Sequence, residues 1–326
     1  MKKIEYKYSF FCRIFALYIF FNFITLMPAY AKNGDALEWV GVEVVTNDFE
    51  IIDDVVKLSG IKSGDEISID SPILPNACNF VRAGYPSRSV NCTAILMEKA
   101  QALYVIQVSK DKPIKTNVPL CKPMSKSVDY LNFESSIIAD MNLDVGSKNS
   151  TWGEEFINKD EILDTSNKER HLRLIGYLEH TLTLKDEIKS FLHSCDPIDR
   201  RNAIYAYNFL GDAHEAIVVA LTGIYDEDII VRNVSLRLLS SFAAYIPDEY
   251  SSTIINNSCK IISKETFFER NKGLMILLSM TNKNSRTLSN INQKCRNLIL
   301  KIAGSSKSEQ IGIPANTLVD FFKKNP

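Results

Sequence analysis

Asp196-Pro-Ile-Asp-Arg-Arg-Asn-Ala-Ile204 and Asp226-Glu-Asp-Ile-Ile-Val-Arg-Asn-Val234 are two versions of one phrase. Each opens on an acidic turn, reaches an arginine and runs on as an apolar helix. Ala203, Tyr207 and Leu210 share one face of the first helix, and Val234, Leu238 and Phe242 share one face of the second. Arg170, Arg201 and Arg232 recur at intervals of 31 residues, with Asp196 and Asp226 just ahead of the last two. Leu210-Gly211-Asp212 breaks the chain, and Ile217, Leu221 and Ile224 supply the next apolar face. Arg270 marks a looser fourth unit. A fixed period of this size predicts helix pairs that bury one face each by stacking on the next pair. Residues 159–326 are therefore expected to form an all-α helical-repeat solenoid.

Working back toward the N-terminus, residues 113–158 read as a linker. Pro113, Pro119 and Pro123 punctuate it, Gly146-Ser-Lys-Asn-Ser-Thr151 is a polar loop, and Trp152 and Phe156 begin a capping segment for the repeats. Residues 37–112 read as a small α+β domain. Trp39 to Val45 alternates and is rich in Val, which predicts a strand. Phe49, Ile52, Val55, Val56 and Leu58 follow at helical spacing. A break with two glycines, Ser59 to Asp65, precedes a second helix over Pro72 to Ala83 that stops at Gly84. Ser89 to Met97 and Ala102 to Ser109 are β-branched runs joined by a short turn, a hairpin. The order is strand, helix, helix, strand, strand.

The Asp-to-Arg units and the Leu-Gly-Asp turn resemble HEAT-like repeats of the kind found in phycobilisome lyases. The resemblance implies a scaffold that presents a curved surface, and no lyase chemistry. In the first domain, Val40 to Val45, the Leu58-Ser-Gly-Ile-Lys-Ser-Gly64 break, the Ala83-Gly84-Tyr85 step and the Tyr104-Val-Ile-Gln-Val108 strand resemble the POTRA domain of bacterial envelope proteins. That resemblance implies polypeptide binding at an edge strand and in the groove beside a helix. The alternative is a generic α+β spacer with no partner at its edge.

Met1 to Ala31 reads as a secretory leader. Lys2, Lys3, Lys7 and Arg13 give it a positive start, Ile14 to Met27 is apolar apart from Asn22 and Thr25, and Ala29-Tyr30-Ala31 offers small residues at the cleavage position. The apolar run is shorter than the roughly 20 residues of a spanning helix. Cleavage would leave no membrane span, and retention would make the segment an anchor. The expected location is bacterial, periplasmic or secreted. Six cysteines lie beyond the leader, at 78, 92, 121, 195, 259 and 295. In an oxidising compartment they permit disulfides, in pairings that sequence does not choose. Cys78 on the second helix and Cys92 on the following strand should face each other, as a bridge or as two buried thiols. Cys121 could staple the linker to one domain.

The chain carries 38 Lys and Arg against 39 Asp and Glu, and four of those cations fall in the leader. The remainder is mildly acidic, which argues against sequence-independent nucleic-acid binding. Arg170, Arg201 and Arg232 have two readings: a cationic ladder for an acidic partner, or structural residues that pair with Asp196, Asp226 and helix carbonyls, the reading favoured here. Arg173, Arg200 and Arg237 are less bound to the repeat and are expected to be the partner-binding residues. His193-Ser-Cys195 precedes the Asp196 turn, so capping is expected there rather than metal or nucleophile chemistry. No H-E-x-x-H, G-x-S-x-G, phosphate loop or dinucleotide fingerprint occurs. No catalytic, metal or cofactor site is expected. The function expected is non-enzymatic protein binding or adaptation in the periplasm. The alternatives are an immunity protein that blocks a toxin, and an enzyme using the concave face with His171 or His193 beside a carboxylate.

Overall fold

The computed structural model describes residues 36–97, 101–110, 121–145, 168–210, 212–243, 246–283 and 291–324. They fall into two compact units. One joins the residues from 36 to 110 with those from Asp248 onward, and the other runs from 121 to Pro247. The leader, Trp152 and Phe156 lie outside the described residues.

The first unit is built on β1 (Ala36–Val45), α1 (Ile52–Ser59), β2 (Glu66–Ser68), α2 (Ile73–Gly84), β3 (Ser89–Met97) and β4 (Gln101–Ser109). This is the expected strand, helix, helix, strand, strand order with one addition, the three-residue β2. The sheet order is β2-β1-β4-β3. β1 runs parallel to β4, and the other two pairs are antiparallel. A register shift between Trp39 and Gly41 lets Leu37, Trp39, Val42 and Val44 all join one core. Gly41 has φ 138°, a backbone conformation that a side chain would strain. Gly60, at φ 68°, ends α1 in the left-handed conformation usual after a helix.

Both faces of this sheet are covered. On one face β1 and β4 pack Trp39, Val44, Tyr104 and Ile106 against Val55 of α1 and Leu74 and Val81 of α2. The indole N–H of Trp39 donates to the Ile67 carbonyl at 2.9 Å, so this buried donor is satisfied. The alternate residues Val45, Leu103 and Val105 are buried as well. A strand buried on both sides reads as a continuous apolar run, and Ala102 to Ile106 is one.

The same unit holds α9 (Asp248–Ile262), α10 (Phe267–Lys283), α11 (Gln293–Ser305) and α12 (Glu309–Lys324). α10 packs on both α9 and α12, and α11 on α12. Because α10 is surrounded, even its charged run Glu269 to Lys272 is buried. The sequence boundaries placed these helices in the repeat array, whereas the contacts group them with the sheet.

The second unit contains α3 (Val128–Val145), α4 (Lys168–Thr183), α5 (Lys185–Phe191), α6 (Pro197–Ala206), α7 (Ala213–Gly223) and α8 (Ile229–Ser241). α6, α7 and α8 pack mutually. Ala203, Tyr207, Leu210, Ile217, Val234, Leu238 and Phe242 are buried where the helical periodicity put them. α3 lies inside the stretch read as a linker, and its start is held by Tyr130 against Phe191, ring centroids 4.4 Å apart.

Candidate functional site

The repeated arginines do structural work, in a register that differs from the sequence reading. Asp196 caps α6 by accepting from Ile198 N at 2.8 Å, and Asp228 caps α8 by accepting from Ile230 N at 2.7 Å. Four residues on, Arg200 Nη1 donates to the carbonyls of Ser194 (2.8 Å) and Cys195 (3.3 Å). Arg232 Nη1 donates to the corresponding carbonyls of Asp226 (2.9 Å) and Glu227 (2.8 Å). The equivalent pairs are thus Asp196 with Asp228 and Arg200 with Arg232, a period of 32. The sequence alignment matched Arg201 to Arg232 and Asp196 to Asp226, one and two residues out. The same spacing recurs in the other unit. Asn292 caps α11, and Arg296 Nε reaches back to the Ile291 carbonyl at 3.2 Å.

Asp226 has a different part. Both its oxygens accept from Arg200, from Nε and from Nη2 at 2.8 Å each. That fork is charge-assisted and planar, and it raises the Arg200 pKa, the Asp226 hydrogen bond being the main cause. Arg201 instead turns to the Asn202 side chain. Arg200 and Arg237 are each only 8% exposed, and burial lowers the pKa of Arg237. Two of the three arginines expected to meet a partner are therefore inside the protein. Arg173 is half-buried on α4, and the Arg170 side chain lies outside the described residues.

The start of α3 is fixed to α6 by a second polar cluster. Lys126 Nζ sits 2.7 Å from Asp199 Oδ1 and 2.9 Å from Glu134. Asn202 also bonds Glu134, and Ser194 Oγ donates to Asp199 Oδ2 at 2.9 Å. Ser194 also receives Asp196 N, so His193-Ser-Cys195 organises the helix start.

The six cysteines among the described residues are paired: Cys78–Cys92, Cys121–Cys195 and Cys259–Cys295. The bridge of Cys121 to Cys195 closes the stretch from 121 to 195, and it adjoins main-chain bonds between Lys122 and residues 193 and 195.

In the sheet unit, a set of long-range hydrogen bonds joins β1 to the C-terminal helices. Sequence reading missed all of it. The Glu43 carboxylate accepts from Ser306 Oγ (2.8 Å), Lys307 N (2.7 Å) and Ser308 N (2.8 Å) at the start of α12. Burial raises its pKa, while these bonds and the charge of Arg270 pull the other way. Arg270 donates to the Thr46 carbonyl at 3.2 Å and to Asn47 Oδ1 at 2.9 Å. Its pKa is pushed down to about 10 by burial. Gln107 of β4 accepts from Phe267 N at 2.8 Å. These side chains are saturated by the protein itself and have a structural role.

A groove of roughly 430 Å³ lies between α2 and the sheet. Ile69, Leu74, Pro75, Ala94 and Tyr104 give it apolar walls, and the Cys78–Cys92 bridge ties its two sides together. Tyr104 OH donates to the Leu74 carbonyl at 2.6 Å, and burial pushes its pKa up to about 12. Along one side runs β3, the outermost strand of the sheet among the described residues. Arg82 stands at the rim. Its Nε donates to the Val90 carbonyl at 3.2 Å and its Nη1 to Asn79 Oδ1 at 3.1 Å.

Among the described residues, no cluster of three His, Cys, Asp or Glu side chains could hold a metal ion. None of the described helices is long and apolar enough to cross a membrane. Among these residues the chain is a three-disulfide protein with a mixed four-stranded sheet, a helical cover on that sheet and a separate helical unit. It matches no family model, no curated protein and no solved structure.

Proposed function

We propose that this is an exported, non-enzymatic protein-binding protein, and that the outer edge of β3 with the adjoining groove takes an extended polypeptide segment. The observation that carries the reading is the pairing of a nine-residue edge strand with an apolar groove beside it. An edge offers main-chain N–H and C=O groups to an added strand, and an adjacent groove gives its side chains a place to bury. The POTRA resemblance of the strand–helix–helix–strand–strand order supports the same surface. Three disulfides fit a secreted or periplasmic protein, as the leader suggests. The helical unit is read as HEAT-like repeats that offer a second, curved surface.

The test is a crosslinked pull-down of the mature protein from bacterial envelope extract, run beside an Ala94→Trp variant that fills the groove. The reading expects a partner held by the wild type and lost by the variant. Equal recovery by both would move the binding surface away from β3.

A further inference from the structure

We infer that the groove reads the free C-terminus of its partner: the segment pairs with β3, buries its last apolar side chain in the groove and sets its terminal carboxylate on Arg82. The inference rests on the strand-edge reading above and adds the chemistry of the occupant.

Three features select that chemistry. The first is charge. Among the residues lining the groove Arg82 is the single charged side chain, and the rest are apolar, a disulfide, a threonine and a tyrosine. Tyr104 is held neutral by burial and already donates to Leu74. Arg82 is exposed at the rim, so its charge is open to an approaching anion, and charge complementarity favours a ligand that places one negative group there.

The second is the state of Arg82. Nε and Nη1 are bonded to Val90 and Asn79, and Nη2 has no partner among the described residues. The side chain is thus fixed in place by two bonds while the Nη2 edge of its guanidinium remains available. That arrangement suits a carboxylate, which accepts in the plane of the fork.

The third is position. Arg82 occupies the Val90 carbonyl, at the first turn of pairing in β3. Main-chain pairing by an added strand therefore stops short of Val90, beside a cation. An acidic side chain on a continuing strand would project perpendicular to the sheet, away from a guanidinium that is bonded to a strand carbonyl. A chain that ends there presents its carboxylate along the strand direction. The groove, at the small end of the roughly 300–1,000 Å³ range of ligand sites, has room for a side chain next to that end.

The experiment uses the mature chain and two arrays of the same random heptapeptides, both anchored by their N-termini. One array ends in free carboxylates and the other in amides. The expected result is binding confined to free-carboxylate peptides with an apolar last residue. Losing charge-assisted bonds predicts weakening of about 10- to 100-fold in Arg82→Gln, and a smaller loss in Arg82→Lys. Thermal unfolding of both variants confirms that the fold is kept. Equal binding to both arrays overturns the carboxylate inference and leaves the strand-edge reading standing. Binding to neither overturns both, as does binding that ignores Arg82 and tolerates Ala94→Trp.

Discussion

Arg200 grips Asp226 with two parallel hydrogen bonds of 2.8 Å, and so ties the first turn of α6 to the turn ahead of α8. Both side chains are largely buried, at 9% and 12% exposure. Breaking a buried ion pair from one side leaves a charge without compensation, which costs about 3–5 kcal/mol. Arg200→Ala should therefore lower the unfolding free energy by about 3 kcal/mol, and Asp226→Ala by a similar amount. Arg201→Ala should cost clearly less, because its partner is a neutral amide on the next residue. Urea denaturation of the three variants checks the order, and a larger loss in Arg201→Ala would contradict the register of 32.

The helices after Asp248 complete the sheet unit, so residues 36–116 should not fold alone. Without α9 to α12, Glu43 loses Ser306, Lys307 and Ser308, Gln107 loses Phe267, and Arg270 no longer meets Thr46 and Asn47. Such a fragment is expected to give collapsed amide dispersion in a proton–nitrogen correlation spectrum, even when oxidised. A well-dispersed spectrum would show that the first domain is autonomous.

Much of this architecture was legible in the sequence. α1 and the apolar faces of α6 to α8 came from periodicity, because each buries one face at a regular spacing, α2 from its stop at Gly84, and the β3–β4 hairpin from two β-branched runs around a short turn. Helix and strand facing each other placed Cys78 beside Cys92, as a bridge or as two thiols, and the structure pairs them. Three things were hidden, each for a physical reason. β2 is three residues long, too short for a period to show. The charged run Glu269 to Lys272 argues for a solvent face, yet α10 is covered on every side and its polar groups are matched by distant partners such as the Thr46 carbonyl. The arginine register slipped because Asp226 and Asp228 both precede α8, and only geometry distinguishes the cap from the fork acceptor. The uninterrupted run from Ala102 to Ile106 was the available signal that a second layer covers the sheet. The groove itself depends on the spacing of α2 and β3, which no residue pattern states.

Glu43 gives a pH test. Burial holds its carboxyl above the ordinary value of 4.5, so the folded state binds the proton more tightly than the unfolded chain does. Its contribution is greatest below that ordinary value and is lost as pH rises through the folded pKa. The stability of the wild type minus that of Glu43→Gln should fall as pH rises above the ordinary carboxyl value in matched urea titrations. A difference that grows with pH would mean that the three donors, and not burial, decide the shift. Glu43→Ala should cost about 1–3 kcal/mol at acidic pH, since Ser306, Lys307 and Ser308 lose their acceptor, and less as pH rises.

Tyr104 gives an independent check on the groove. Its hydroxyl should resist ionisation until about pH 12, as should those of Tyr85 and Tyr207, with that of Tyr130 held higher still, so an alkaline absorbance titration should show a group of late-titrating tyrosines that is one smaller in Tyr104→Phe. The same substitution removes the bond to Leu74 and should cost about 1 kcal/mol. Loss of an early-titrating tyrosine instead would place that hydroxyl in water.

Binding at β3 is tested most directly by a photo-crosslinking residue introduced at Thr93 in the mature protein, compared with one at Asp53 on the exposed face of α1. Irradiation in envelope extract should yield an adduct from Thr93 that mass spectrometry maps to one segment at the end of a partner chain, and none from Asp53. Adducts of equal yield from both positions, or none from Thr93 while the protein still captures its partner, would contradict the account.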